Sequence, residues 1–547
     1  MSSAADRFGI LVAVAYLAAA LHGLGAADIV GDDEAREAGI VQDVVAGHWL
    51  LPTFNGEILP DKPIGFHWLA AVPCAVAGFS EAAVRLPSAL AGAALVGWTA
   101  RFGASLFGPA AGLAAAVMLA TTPAMFARAR VARPDALLVL LLALAMGLAF
   151  RWWREGRRRD ASAALACLGA ATLVKGPVAP VLFALAFGGF LAWQRELRRA
   201  SGLLTAPGVA VFLVLALGWY AIALAGWGEL FVREHLVGRY LRNLAGGMVT
   251  GGSYSKRSLP YHLGFYVLHL PAIALPWTPV AAVALWRAWR RDRLRDPRVR
   301  FLLCWAAAPV VAFTPAEYKL RYYLLPALPA LALLGGPALA ALRETRARHI
   351  AGARLARLGA VAAIAAGLAL WLGTAALGQL ARSDRNTLEA VVAATGGHVP
   401  LAGALVAGVA AIAVASACRA WRVLAGALVV GMAGWMVVGQ PGLERAISGR
   451  DSLKPFAMAV VGRYPAPAAV GIFGESIRPL AVYLARRVPT LRRRDALAPG
   501  LAVIVTEPAY ARLESAGLLG PALLDAEGRI GNLGRARVVL AETRPAS

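Results

Sequence analysis

The sequence predicts a polytopic α-helical membrane protein of about 13 transmembrane helices, followed by a small α/β domain. Three observations carry this. Of the 547 residues 59% are hydrophobic and only 16% charged, a balance that soluble globules of ordinary make-up do not have. Apolar segments of near-membrane length recur along the first 440 residues, and arginine clusters in every second loop between them. Beyond residue 440 the chain returns to the composition of a small folded domain, with alternating helix-like and strand-like stretches.

The apolar segments lie near 8 to 26, 83 to 100, 107 to 124, 136 to 153, 161 to 174, 178 to 193, 205 to 226, 263 to 286, 301 to 314, 322 to 342, 358 to 380, 400 to 417 and 423 to 439. A full span needs about 20 apolar residues, so 161 to 174 and 301 to 314 are short enough to be tilted, broken or re-entrant. The first segment has no small-residue cleavage motif before its acidic sequel, which makes it a retained anchor. With the N-terminus inside, the loops at 151 to 160, 195 to 199, 287 to 300, 343 to 357 and 419 to 422 all fall inside, and they hold 22 arginines. Thirteen spans then leave the C-terminus outside. This pattern accounts for the formal charge of +24 without a nucleic-acid partner. Cys74, Cys167, Cys304 and Cys418 lie in or beside apolar stretches with no ligand spacing, as buried small hydrophobes do.

The opposite face carries the loop at 27 to 82, the turn at 127 to 135, Lys175, the loop at 227 to 262, the turn at 315 to 321, and everything after 440. Only five lysines stand against 50 arginines, and Lys62, Lys175, Lys256, Lys319 and Lys454 all avoid the inside loops. A compact, mobile point charge suits a phosphate, although five residues could also scatter onto a polar face by chance. Asp32, Asp33 and Glu34 follow the first span directly, and Asp61, Lys62 and Pro63 follow them. Carboxylates at a membrane edge need a partner, a wet cavity or a chemical task. The first turn of a helix also favours acid, a reading that suits Asp32 best. After Glu34 the spacing of Ile40, Val41, Val44 and Val45 predicts a helix lying along the membrane surface, and 64 to 78 a second one.

The order Asp33-Glu34-x-Arg36, GHWLLPTFNG at 47 to 56, DKPIGFHWLAA at 61 to 71 and Arg85-Leu-Pro-Ser-Ala resembles the opening of the bacterial aminoarabinose transferase and protein mannosyltransferase superfamily. The resemblance continues through ARARVARPDALLVLL at 127 to 141, LVKGP at 173 to 177, EHLVGRYL at 234 to 241, Leu275-Pro-Trp277 and YKLRYYLLPALPALALL at 318 to 334. These are glycosyltransferases of the GT-C class that use polyprenyl-phosphate sugars. The resemblance implies a GT-C fold in residues 1 to 440, a periplasmic α/β domain in 441 to 547, a bacterial inner-membrane location with a cytoplasmic N-terminus, and an inverting transfer. It also implies a polyprenyl (undecaprenyl) phosphate donor and a lipid A-like or protein acceptor. The chain departs from the family where Asp32 replaces a proline before the acidic pair, where Glu37-Ala38-Gly39 replaces Tyr-Ala-Glu, and where Asp61 stands for the commoner glutamate.

The chemistry asks for a base or orienting carboxylate facing the anomeric carbon, and for cations around the phosphate that leaves. Asp33 is the candidate base, with Glu34 and Asp61 beside it. The resemblance assigns Lys62, Lys319 and Tyr323 to the donor phosphate; Arg128 or Arg130, and Lys175, are further candidates. Tyr322 is expected in the interfacial aromatic belt. Asp135 is expected to hold an arginine such as Arg128. Arg36 and the pair His235 and Arg239, four apart, are supporting candidates, a surface helix being equally compatible with the pair. His48, His67 and Asp61 lack compact ligand spacing, so no metal and no other cofactor is expected to be required. An acceptor phosphate would attack as an anion, leaving Asp33 to orient it, whereas a hydroxyl acceptor would need Asp33 as base. A transporter of anionic lipid or sugar and a non-catalytic envelope scaffold are the readings from other classes.

In the C-terminal domain, 452 to 463 and 476 to 487 read as helices, and Val470 to Gly474, Leu501 to Thr506 and Arg537 to Ala541 as strands. A cap over the outside mouth and a purely stabilising domain are equally compatible with it.

Overall fold

The computed structural model describes residues 2–60, 62–241, 259–290, 292–316, 319–344, 421–474, 476–484, 486–530 and 534–544. The predicted spans at 358 to 380 and 400 to 417, together with Asp61 and Lys256, lie outside the described residues. Helices dominate: α1 (Ser2–Leu21), α2 (Asp32–Val45), α3 (Gly65–Ala77), α4 (Glu81–Phe107), α5 (Pro109–Ala120), α6 (Pro123–Ala129), α7 (Asp135–Glu155) and α8 (Arg158–Lys175) build the first half. Among the described residues four helices are long and apolar enough to cross a membrane, or up to six if each bent pair counts as one span. The protein is therefore a helical membrane protein with several apolar spans.

Two predicted spans are bent. The segment at 107 to 124 divides into α5 and α6, which meet at 67°. Thr121 and Thr122 turn their hydroxyls back onto the carbonyls of Val117 and Met118, and Pro123 starts the next helix. Proline lacks the N–H needed to continue the ladder and suits a first helical position. The segment at 263 to 286 bends by 110° between the helices Leu259–Ile273 and Thr278–Arg290, around Leu275-Pro276-Trp277. The two short segments fall in unbroken helices, α8 and Pro297–Phe313.

The helix predicted to lie along the membrane is α2, and its setting differs. Nine of its residues, from Glu34 to Ile40 with Val41 and Val44, are buried, because α3 packs on one side and the C-terminal helix Arg478–Tyr483 on the other. Gln42 donates to the Val482 carbonyl at 3.0 Å, Asp32 pairs with Arg478, and Asn55 receives the Val488 N–H at 2.8 Å. A helix whose apolar face looks amphipathic in sequence is here sandwiched between protein layers.

The C-terminal domain is a five-stranded mixed sheet in the order β4-β3-β5-β7-β6, with β3 (Val470–Phe473), β4 (Thr490–Leu491), β5 (Ala502–Thr506), β6 (Leu524–Ile530) and β7 (Gly534–Glu542). β3 runs parallel to β4 and β5, and β7 is antiparallel to both β5 and β6. The central β3 and β5 are buried along most of their length, as strands covered on both faces are. Of the predicted helices, 452 to 463 forms as Lys454–Arg463, and 476 to 487 shortens to Arg478–Tyr483. A small ribbon, β1 (Thr53–Phe54) with β2 (Glu57–Ile58), closes the connector between α2 and α3.

Arg130 pins the membrane part to the C-terminal part. Its guanidinium reaches the carbonyls of Ala20 and His22 at 2.8 Å and of Gly23 at 3.2 Å, and meets Glu444 at 2.7 Å. These are the open carbonyls at the end of α1. The residue thus holds chain ends together, and the phosphate role considered for it has no place here. Arg130→Met would strand the carbonyls and the Glu444 carboxylate. We expect a loss of about 3–5 kcal/mol, read as a large drop in the unfolding midpoint in detergent, with Lys454→Met, whose side chain is 34% exposed, costing much less.

Candidate active site

The site assembles where α2, the start of α3, the turn before α7, the end of α8 and the turn at 319 to 327 meet. Each piece has a local reason. Asp32, Asp33 and Glu34 occupy the first turn of α2, where exposed N–H groups favour negative charge. Pro134 precedes α7 and leaves Asp135 at its first position. Gly176 takes φ +78 at the end of α8, a conformation glycine adopts without strain, so that Lys175 stands at the tip. Gly65 lets α3 approach α8: a Cβ there would sit 2.8 Å from the Leu173 carbonyl oxygen. That contact brings the segment carrying Lys62 beside Lys175.

The charged groups form a chain. Asp33 accepts from Arg133 at 2.6 Å and from Arg36 at 3.2 Å. Arg133 also donates to Asp135 at 3.0 Å and to the Tyr322 hydroxyl at 2.9 Å. Asp135 receives Lys175 on its other oxygen. Next to this chain Glu37, fully buried, receives Lys62, Arg36 at 2.9 Å and His67 Nε2 at 2.8 Å. Burial alone raises a carboxyl pKa, but Lys62 and Arg36 outweigh it and hold Glu37 well below the usual range. In the same way Arg133, Arg36 and Lys62 overcome the burial of Asp33 and keep its carboxyl below the usual value, although the side chain is 43% exposed. Both are carboxylates at neutral pH.

A cavity of about 210 Å³ opens against this chain. Lys62, Asp135, Lys175 and Tyr322 line its polar end, and Leu138, Val139, Val178, Val181, Leu182 and Leu325 its apolar walls. A larger groove of about 460 Å³ between α1 and α4 has Arg101 as its one charged lining residue. Volume alone therefore does not locate the chemistry; converging polar groups do.

The structure sorts the candidates. Asp33, Arg36, Lys62, Asp135 and Lys175 are brought together. Asp135 does hold an arginine, Arg133 in place of Arg128. Tyr323 lines the cavity with its ring 4.7 Å from Phe313. Tyr322 proves to be the cation hub: Arg128 lies 4.5 Å and Arg133 4.7 Å from its ring centroid, so it is not a belt residue. Glu34 is tied to Arg85 at 2.8 Å and to the Ala132 N–H at 2.9 Å, and does not line the cavity. Lys319 likewise stays off the lining; it caps the carbonyls of Phe313 and Thr314, at 3.3 and 2.6 Å, above the Tyr266 ring. His235 is buried among Trp219, Tyr220 and Phe231, with Nδ1 3.0 Å from the Pro60 carbonyl. Its segment, Val232–Leu241, is a π-helix, and the Arg239 side chain lies outside the described residues. Among the described residues no group of three metal-ligating side chains converges. The residues that sequence reasoning missed are Arg133 and Glu37. Arg133 had one sign, an Arg-Pro-Asp triplet opening an apolar helix; Glu37 stood out as a departure from the family pattern.

The chain is similar to proteins already known. Residues 61–221 match the model of the dolichyl-phosphate-mannose-protein mannosyltransferase family. The crystal structure of ArnT from Cupriavidus metallidurans bound to undecaprenyl phosphate superposes with a TM-score of 0.76 over 98% of this chain and 97% of that one, at 21% identity. By fold the chain is similar to that ArnT. An undecaprenyl phosphate-alpha-4-amino-4-deoxy-L-arabinose arabinosyl transferase of Pseudomonas paraeruginosa is 31% identical over 350 residues, 61% of this chain and 60% of the relative. One from Erwinia tasmaniensis is 28% identical over 60% of this chain and 58% of its own length. The chain thus spans about three fifths of the curated relatives it matches. In this chain the cations around Tyr322 and the carboxylates of α2 and α7 are joined by direct contacts.

Lys319 gives a pH signature. Burial lowers its pKa from 10.5 to about 8, so between these values the unfolded chain binds more protons than the folded one. Stability then rises with pH through that window, and the penalty is fully present below pH 8. We expect Lys319→Met to flatten the rise in unfolding midpoint between pH 8 and 10.5; an unchanged slope would refute the assignment.

Proposed function

We propose that this chain is an inverting glycosyltransferase of the GT-C class that moves a sugar from an undecaprenyl-phosphate donor to a lipid A-like acceptor on the periplasmic face of the bacterial inner membrane. The membrane part is read as about thirteen spans with the C-terminal domain in the periplasm. The cavity carries the reading: an apolar trough suited to a prenyl chain ends at Lys62, Lys175, Asp135 and two tyrosines, where the two ammonium groups can leave their carboxylates for a lipid phosphate. The names of the relatives, all transferring aminoarabinose from undecaprenyl phosphate, support an amino-pentose as the sugar.

In this mechanism Lys62 and Lys175 receive the phosphate, with Arg128 and Arg133 raising the local positive potential and Tyr322 and Tyr323 forming the wall. The acceptor oxygen forms its bond to the anomeric carbon as the bond to the phosphate oxygen breaks, and the departing electron pair rests on the phosphate. Cations placed in advance stabilise that developing charge. Asp33 faces solvent from the far side of Arg133. Held acidic by two arginines, it is a weak base, which favours an acceptor that is already an anion. Asp33 then takes no proton; its negative charge stabilises the positive charge that develops at the anomeric carbon as the phosphate leaves, and a lipid phosphate serves as the acceptor in place of a protein hydroxyl.

Purified protein in detergent, given undecaprenyl phosphate linked to radiolabelled aminoarabinose and lipid A, is expected to label lipid A. Asp33→Asn should reduce turnover at least about 100-fold, and Lys62→Met should raise the donor KM about tenfold, in line with loss of a charged contact to a phosphate. Labelling of protein in place of lipid A would move the acceptor, and wild-type turnover by Asp33→Asn would remove that residue from the reaction.

A further inference from the structure

We infer that Glu37 is a positioning residue that limits how tightly the site grips phosphate, by making the donor share Lys62 with a resident carboxylate. This deepens the transferase reading and rests on it. Glu37 lies one turn from Asp33 on α2, completely buried, and one of its carboxylate oxygens receives both Lys62 and Arg36. The other oxygen receives His67 Nε2 at 2.8 Å. Among the described residues the buried His67 Nδ1 meets no hydrogen-bond partner, so the ring suits the tautomer with its proton on Nε2: an unpaired lone pair costs less there than a stranded N–H. The job of the ring is to fix the carboxylate. Fixed in this way, Glu37 tethers an ammonium that lines the cavity.

The consequence lies in the second half of the reaction. The donor phosphate is a diester with one negative charge, and when the glycosidic bond breaks the polyprenyl phosphate left behind gains a second. Bare cations would bind that product more strongly than the substrate and slow its release. A carboxylate on the same lysine opposes both, and opposes the dianion more. It also keeps Lys62 charged and placed when the cavity is empty.

Undecaprenyl phosphate in detergent micelles is the probe, titrated into wild type, Glu37→Gln, Glu37→Tyr, Lys62→Met and the double variant Glu37→Gln/Lys62→Met, all checked by size exclusion. The uncharged replacements should bind the probe about tenfold tighter, with kcat and KM falling together as release slows. In the Lys62→Met background the Glu37→Gln effect should vanish, because it acts through the lysine. Equal or weaker binding by whichever Glu37 variant folds, with wild type binding and Lys62→Met impaired, overturns the role of Glu37. No binding by wild type instead overturns the transferase reading on which it rests.

Discussion

Three carboxylates set against a membrane must be neutralised in place, and the way this is done fixes the rest of the structure. Asp33, Glu37 and Asp135 come from two helices separated by about a hundred residues. They are joined by Arg133, which touches both Asp33 and Asp135, and by Arg36, which touches both Asp33 and Glu37. Taking any of these ions out of water costs several kcal/mol, and that cost is offset only when the geometry is good and the spare lone pairs are filled. The elements around them are therefore constrained: α2 has to meet the turn before α7, and the end of α8 has to reach Asp135. The Gly65 contact with Leu173 and the positive φ at Gly176 are local expressions of that demand.

The C-terminal domain extends the same constraint outwards. Asp28, just before α2, receives Lys454 and Ser452, and its N–H donates to Ser448 at 2.8 Å. Tyr483 accepts the Ile29 N–H at 2.6 Å and donates to Glu81 at 2.9 Å. At the other end of α2, Gln42 and Asn55 bind backbone groups of Val482 and Val488. The helix carrying Asp33 and Glu37 is thus held from both ends by a domain with no reacting groups of its own. A positioned carboxylate needs a rigid helix, and this domain supplies the rigidity.

Much of this was legible in the sequence, for physical reasons. Apolar length and arginine alternation reveal spans because lipid admits little else, so the helices at 83, 136, 205 and 322 emerged near their true places. Strands β3 and β5 were legible as short runs with little polar interruption, rich in valine and isoleucine. β6, with the sequence LDAEGRI, was missed because it is half exposed and carries charge at alternate positions. The setting of α2 was misread for a related reason. An amphipathic pattern states that one face is dry, and a membrane surface and a packed domain dry it equally well. Lys319 was placed at the phosphate by its neighbours in the motif, but a side chain six residues beyond a helix end can satisfy that end's carbonyls, and here it does.

The lysines and arginines divide the work along chemical lines. Arg36, Arg85, Arg130 and Arg133 each hold several acceptors at once, and the last three join segments distant in sequence. A planar fork with five donors is suited to bridging. At the cavity, by contrast, both cations lining the wall are lysines, Lys62 and Lys175, each drawn to a carboxylate by a single mobile ammonium. An ammonium can turn from a carboxylate to a phosphate without dismantling a bridge, whereas moving Arg133 would release Asp33, Asp135 and Tyr322 together. Lys319 and Lys454 hold fixed contacts as the arginines do, so the distinction belongs to the cavity wall, where a lysine contact can be exchanged while the arginine frame is kept.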